Sequence, residues 1–238
     1  MSGKKWWRSL IPFPRRKTLA RWFPDFETRK TTALIRHSGA DVVVDIGANR
    51  GQFAQRLRAT GYTGRILSVE PLPDEHAHLG RISAGDPDWT IAPRVAIGGN
   101  EGEITLYRYA DTSLSSALKP EGDASGFADA EEVLTPLMTL DALIAEHVPG
   151  DAKLFVKIDV QGLEMQVISG GSVTLDRAAG VSVELALRRI YKGEPGYLEV
   201  LTALDAHGLV PVFFSHVTSK RRMRPEFQMD AVLLRQAS

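Results

Sequence analysis

Apolar residues follow two rhythms along this chain. In "DVVVDIG" (41–47) and "GRILSVEPL" (64–72) they run nearly unbroken, with β-branched side chains, as expected of strands buried on both faces. In "DFETRKTTALIRHSG" (25–39), "GQFAQRLRATG" (51–61) and "PDEHAHLGRISAG" (73–85) they recur at helical spacing, and Gly39 and Gly61 close the first two. "WTIAPRVAIG" predicts a third strand or strand pair. The alternation then changes. "GEITLYRYA" (102–110) has no helix before it and predicts an added antiparallel strand. "DTSLSSALKPEGDASGFADAEE" (111–132) predicts a polar loop. Strand and helix alternate again through "TLDALIAEHV", with Thr139 as its cap, "AKLFVKIDV", "GLEMQVISGG", "GVSVELAL" and "GYLEVLTALDAHG". "LVPVFFSHV" and "FQMDAVLLR" have no helix between them and predict a closing antiparallel pair at one sheet edge. The pattern predicts one doubly wound α/β domain, mostly parallel, with helices on both faces. It occupies residues 31–238, behind an arm at 1–30.

Composition narrows the class. The 238 residues include no cysteine, which excludes disulfides and thiolate-bound metals. No apolar run reaches the ~18 residues of a spanning helix, and "KKWWRSLIPFPRRK" is broken by Pro12 and Pro14, unlike a signal peptide. A cytoplasmic location is expected. Formal net charge is zero, yet residues 1–30 hold nine Lys or Arg against two acids, a net +7, so the remainder is −7. Aromatic residues, among them Trp6, Trp7, Trp22 and Phe23, are interleaved with that charge. The arm reads either as a peripheral membrane-surface contact or as a strap whose aromatics pack on the domain. One basic arm on a neutral chain does not make a nucleic-acid groove.

The candidate chemistry starts at "DIGANRG". In a doubly wound sheet, ligands bind beyond the carboxyl ends of the strands. Gly47 allows a sharp turn, and Gly51 lets the next helix approach closely. A dinucleotide site has a further glycine where this chain has Asn49, and Asp45 at the strand end would repel a diphosphate. A ligand carrying ammonium and sulfonium groups, such as S-adenosylmethionine, would suit Asp45, with its carboxylate on the helix amides. Glu70 ends the second strand, nineteen residues after Gly51, where an acid accepts hydrogen bonds from ribose hydroxyls.

The blocks "VVVDIGANRGQF", "SVEPLP", "VAIGGNEGEITLY", "TLDAL", "VKIDVQGLEMQVISGG" and, more weakly, "FQMDAVLLR" resemble the FkbM family of S-adenosylmethionine-dependent methyltransferases, over roughly residues 41–235. The resemblance implies a seven-stranded, methyltransferase-like (Rossmann-type) sheet with an antiparallel last strand. It also implies methyl transfer to a hydroxyl of a sugar, glycolipid or natural-product acceptor. Members often have Glu where this chain has Gln161, which leaves one carboxylate fewer in the motif.

Such a transfer needs alignment of the acceptor oxygen and a base for its proton. Asp159, at the end of "LFVKID", is the first choice of base; its alternative role is a helix cap. Glu164, in the first turn of the next helix, stands as a catalytic candidate or as a partner of the helix dipole. Glu184, near the end of "VSVE", is the third candidate, with pairing to Arg188 or Arg189 as its alternative. Lys157 is expected to point outward or to pair with Asp159 or Glu184. Ser113, Ser115 and Ser116 are expected to close over the adenosine or the acceptor, and Val95 and Ala96 to flank the adenine. His37, His76, His78 and His147 read as helix-surface residues, His207 precedes a helix stop, and His216 is a weak catalytic candidate. No metal is required, although Asp159, Glu164 and Glu184 would suit Mg²⁺ if they converged. A non-catalytic S-adenosylmethionine-binding module and a nicotinamide-dependent oxidoreductase are the competing readings.

Overall fold

The computed structural model describes residues 25–121, 127, 129–216 and 227–236. The arm, with its membrane-surface reading, lies outside them up to residue 24. The expected boundary at residue 30 is moved by the first helix, α1 (Phe26–Ser38), which begins within the arm. Asp25 caps it by accepting a hydrogen bond from Thr28 N at 2.7 Å, and Gly39 ends it at φ 69°.

There follow β1 (Val42–Ile46), α2 (Gln52–Ala59), β2 (Arg65–Val69), α3 (Pro73–Ser83), β3 (Trp89–Ile91), β4 (Ala96–Gly98), β5 (Gly102–Arg108), β6 (Glu131–Thr139) and α4 (Leu140–His147). The chain continues with β7 (Leu154–Ile158), α5 (Glu164–Ser169), α6 (Ser172–Arg177), β8 (Gly180–Ala186), α7 (Tyr197–Ala206), β9 (Leu209–His216) and β10 (Gln228–Arg235). Seven strands form one sheet in the order β3-β2-β1-β7-β8-β10-β9. All pairs are parallel except those of β10, which runs against both β8 and β9. This is the doubly wound sheet with an antiparallel last strand expected above.

Alternation along the buried strands divides the core into two layers. Val42, Val44 and Ile46 join Leu154, Val156 and Ile158 on one face, against α4, α5 and α7. Val43 and Phe155 point the other way, into Ile35, Ala54, Leu57 and Leu79 of α1, α2 and α3. Burial on both faces explains why these strands read as apolar runs.

Three elements depart from the expectation. The "strand pair" of residues 89–98 splits: β3 edges the main sheet, while β4 joins a second, three-stranded sheet of order β4-β6-β5. The added strand β5 is antiparallel as expected, but within that second sheet. Its partner β6 was concealed by Glu131, Glu132 and Pro136. Pro136 sits just before residues 137–139, which pair with β4, and so beside an open edge where a strand tolerates proline. Gly170 caps the end of α5, and a separate short helix, α6, follows Gly171.

Candidate active site

The carboxyl ends of β1, β2 and β7, the end of β8 and the start of β10 surround a cavity of about 530 Å³. Gly47 has φ 75°, and a Cβ on it would lie 1.8 Å from the carbonyl oxygen of Asp159. The turns after β1 and β7 therefore touch, and only glycine fits. Gly51, at φ 79°, starts α2 with no room for a side chain against Ile82 and Leu79 of α3.

Asn49 occupies the left-handed region at φ 47°, which its side chain supports by accepting from Arg50 N at 2.8 Å. Its own amide donates to Glu70 Oε2 at 2.7 Å, and Leu72 N donates to Glu70 Oε1 at 2.8 Å. Glu70 is only 3% exposed, and burial pushes its carboxyl up to about 7 despite these two donors. Val95, Ala96, Ile97 and Leu106 give the cavity an apolar wall. Ser113, Ser115 and Ser116, expected to close over the adenosine or the acceptor, line the cavity and are held beside β5. A 3₁₀ turn spans Thr112–Leu114, and Ser116 exchanges backbone hydrogen bonds with Tyr107. Ser116 Oγ donates to the carbonyl of Gln161 at 2.6 Å, so this hydroxyl's donor is already used.

Asp45 requires a correction. It is fully buried and does not line the cavity. Lys157 is turned inward, with Nζ 3.2 Å from Asp45 Oδ1, 3.2 Å from Asp159 Oδ2 and 2.9 Å from the Gly47 carbonyl to which it donates. Burial works against its charge, but Asp159 and Asp45 outweigh that cost and its pKa is raised. Direct contact between Asp45 and a ligand is thus replaced by an ion pair beneath the turn.

Asp159 does line the cavity. It is no helix cap, since Leu163 holds the N-cap position of α5 without a side-chain bond. Its Oδ1 accepts from Gln161 Nε2 at 2.9 Å. The same nitrogen donates to Glu184 Oε2 at 2.7 Å, and Gln228 Nε2 adds a second donor to that oxygen at 2.6 Å. Glu184 therefore pairs with two amides rather than with Arg188 or Arg189. Its pKa is raised well above the ordinary range by burial first, then by the Asp159 and Asp230 carboxylates.

Glu164 departs from its catalytic expectation. It is 5% exposed, absent from the cavity wall, and its Oε1 accepts from Gly162 N at 3.1 Å, bracing the turn before α5. Among the described residues no group of three or more His, Asp or Glu is placed to hold a metal ion. His76 contacts the Ala92 carbonyl and His207 contacts Asp176, both away from the cavity; the side chain of His216 lies outside the described residues.

Asp230, Gln228, Arg56 and Ser182 also line the cavity and had no place in the sequence reading. Asp230 stands directly opposite Glu184 across the β8–β10 ladder, and burial pushes it up to about 6. A lone acid inside the apolar run "MDAVLL" was the available signal. α1 contributes Asp25, Thr28 and Thr31 to the cavity wall, a role its surface-like sequence did not suggest.

Residues 45–210 match the model of the methyltransferase FkbM domain. The chain is 26% identical over 182 residues to the 2-O-methyltransferase NoeI of Sinorhizobium fredii, covering 72% of this chain and 74% of that protein. Among solved structures, it is similar to fibrillarin from Aeropyrum pernix with bound S-adenosyl-L-methionine (13% identity, 87% of this chain and 76% of that one, TM-score 0.48). It is also similar to the N-methyltransferase NodS of Bradyrhizobium japonicum (14% identity, 89% and 97%, TM-score 0.47). With the family match extending over most of the sheet and its cavity, the chain belongs to the FkbM methyltransferase family.

Proposed function

We propose that the cavity binds S-adenosylmethionine and that the enzyme methylates a hydroxyl of a small acceptor: a sugar, a glycolipid or a natural-product scaffold. The residues present suit the cofactor. Glu70 has one amide on each carboxylate oxygen, which leaves lone pairs for ribose hydroxyls. Val95, Ala96, Ile97 and Leu106 offer apolar faces to a purine. The volume falls in the roughly 300–1,000 Å³ range of small-molecule sites. When bound, S-adenosylmethionine supplies the methyl group as an electrophile on a cationic sulfur.

The observation that carries the reading is the pair Asp159–Glu184, joined through one amide nitrogen and facing the cavity. A hydroxyl must lose its proton as it attacks, and a base tuned toward the working pH contributes roughly 10²–10⁴-fold. Gln161 Nε2 bridges the two carboxylates, so both face the same space in the cavity and can receive the acceptor's proton. Glu184 has its pKa raised by desolvation and by the neighbouring Asp159 and Asp230 carboxylates. Lys157 holds Asp159 in place from below. Asp230 and Gln228 stand on the acceptor side, where they orient the attacking oxygen or its neighbours. The similarity to a 2-O-methyltransferase supports oxygen as the atom methylated.

The test is transfer of a labelled methyl group to hydroxyl-bearing acceptors, with Asp159→Asn and Glu184→Gln as controls. Label on hydroxyl oxygen that both variants lose supports the proposal. Label found only on nitrogen, or full activity in both variants, refutes it.

A further inference from the structure

Gln161 is fixed at every polar atom of its side chain. Nε2 donates to Asp159 Oδ1 at 2.9 Å and to Glu184 Oε2 at 2.7 Å, which uses both of its hydrogens. The single Tyr191 O–H proton is shared between the Leu114 carbonyl at 2.7 Å and Gln161 Oε1 at 3.1 Å. The backbone carbonyl accepts from Ser116 Oγ at 2.6 Å. These bonds hold the residue at φ 52°, in the left-handed region that side chains other than Gly, Asn and Asp seldom occupy. Such an outlier costs of order 1–3 kcal/mol and persists only where its surroundings over-determine it. Tyr191, which sets the amide's orientation, is itself fully buried.

We infer that Gln161 is a positioning residue: its one amide nitrogen clamps Asp159 and Glu184 into a single base, and the orientation of that amide is set by Tyr191. This rests on the reading of Asp159 and Glu184 as the proton acceptor. In this chain the donor is a neutral amide, and an ionised carboxylate in its place would lose both hydrogen bonds to Asp159 and Glu184. The titratable groups facing the pair from the packed elements are Lys157 on β7, Asp45 on β1, Asp230 on β10, Glu164 on α5 and Tyr191, with Arg56 beyond Asp230. Among the described residues nearest the pair, Lys157 is the cation, and it is already shared between Asp45 and Asp159. Charge added at residue 161 therefore meets no further counter-ion among those described residues.

The test is Gln161→Glu, which keeps size and shape while replacing the donor by an acid. Carbon-13 titration of the side-chain carboxyls in the full chain reads the pair without turnover. The Glu184 titration is expected to move up by about one to three units, as for carboxylates forced to share a site. The acid limb of kcat should move the same way, with kcat reduced tenfold or more at neutral pH and affinity for S-adenosylhomocysteine unchanged. Tyr191→Phe frees Oε1 and is the second variant; it is expected to lower kcat and to shift the Glu184 titration while leaving cofactor affinity intact. An unmoved Glu184 titration in either folded variant overturns the clamp, whether or not methyl transfer is seen. A shifted titration in an enzyme that methylates no hydroxyl overturns the oxygen reading and leaves the clamp standing.

Discussion

Replacing Glu164 by Gln should stabilise the protein at alkaline pH and leave it nearly unchanged at acidic pH. The carboxyl is 5% exposed, and burial pushes it up from 4.5 to about 7 against the help of the Gly162 amide. Between those two values the folded protein keeps a proton that the unfolded chain has released. Unfolding free energy therefore falls as pH rises through this window: the contribution is fully present below pH 4.5 and is lost above about 7. Two and a half units at about 1.4 kcal/mol each give a loss of ~3 kcal/mol, an upper figure since buried sites relax. Glutamine keeps an oxygen for the Gly162 amide and carries no charge, so it escapes this loss. Urea unfolding midpoints at pH 5, 6, 7 and 8 would measure the difference, which should open by up to ~3 kcal/mol across the series. A variant less stable than wild type at pH 8, or a difference independent of pH, would refute the assignment of Glu164 as a buried brace. Methyl transfer should survive the change, since this side chain does not reach the cavity; loss of turnover with an intact fold would restore Glu164 to the catalytic set.

Three further outcomes follow from the same geometry. Asp159→Asn should keep cofactor affinity and lower methyl transfer by about 10²-fold or more, read by single-turnover kinetics; unchanged turnover would remove it from the base. Glu70→Ala should weaken S-adenosylhomocysteine binding by at least ~1.4 kcal/mol, a factor of ten in calorimetry. It should also lower stability, because the amides of Asn49 and Leu72 each lose a buried acceptor, at ~1–3 kcal/mol apiece. Equal affinity would refute the ribose assignment. Gly47→Ala places a Cβ against the Asp159 carbonyl and should cost on the order of 3 kcal/mol or more in thermal unfolding; wild-type stability would mean that the two turns can part.

The parallel core was legible because its strands are buried on both faces and say so in Val, Ile and Leu, while the glycines of "DIGANRG" sit where the backbone has positive φ. The second sheet was not, since β6 is a half-exposed strand carrying Glu131, Glu132 and Pro136, and its pairing with β4 and β5 depends on contacts remote in sequence. The site was legible by position and not by direction. Residue 159 at a strand end points into the cavity, and residue 164 five places on turns away from it, because Gln161 and Gly162 reverse the chain with two positive φ values between them. Asp230 went unassigned because its role arises from the register that sets it opposite Glu184, and register across an antiparallel pair with a long connection cannot be read from either strand alone.

The sequence reading placed a preference for a cation over a diphosphate at Asp45, and the structure gives that residue a different part. Asp45 was expected to supply the repelling charge, yet Lys157 stands against it and spends part of its field. Asp45 and Asp159 share that one ammonium. Glu70, Glu184 and Asp230 face the cavity from β2, β8 and β10, while Arg56 is the remaining cation on the wall among the described residues. Burial is the first cause that raises all three of these acids, and neighbouring carboxylates (Glu75 for Glu70, Asp159 for Glu184 and Asp230) add to it. On the proposed reading, a bound sulfonium would draw these acids toward ionisation, whereas a pyrophosphate would raise them further. Asp45 and Lys157 thus act in a different capacity: they lock the turns after β1 and β7 together, through Gly47, so that Glu70 and the Asp159–Glu184 pair are held on opposite sides of one cavity.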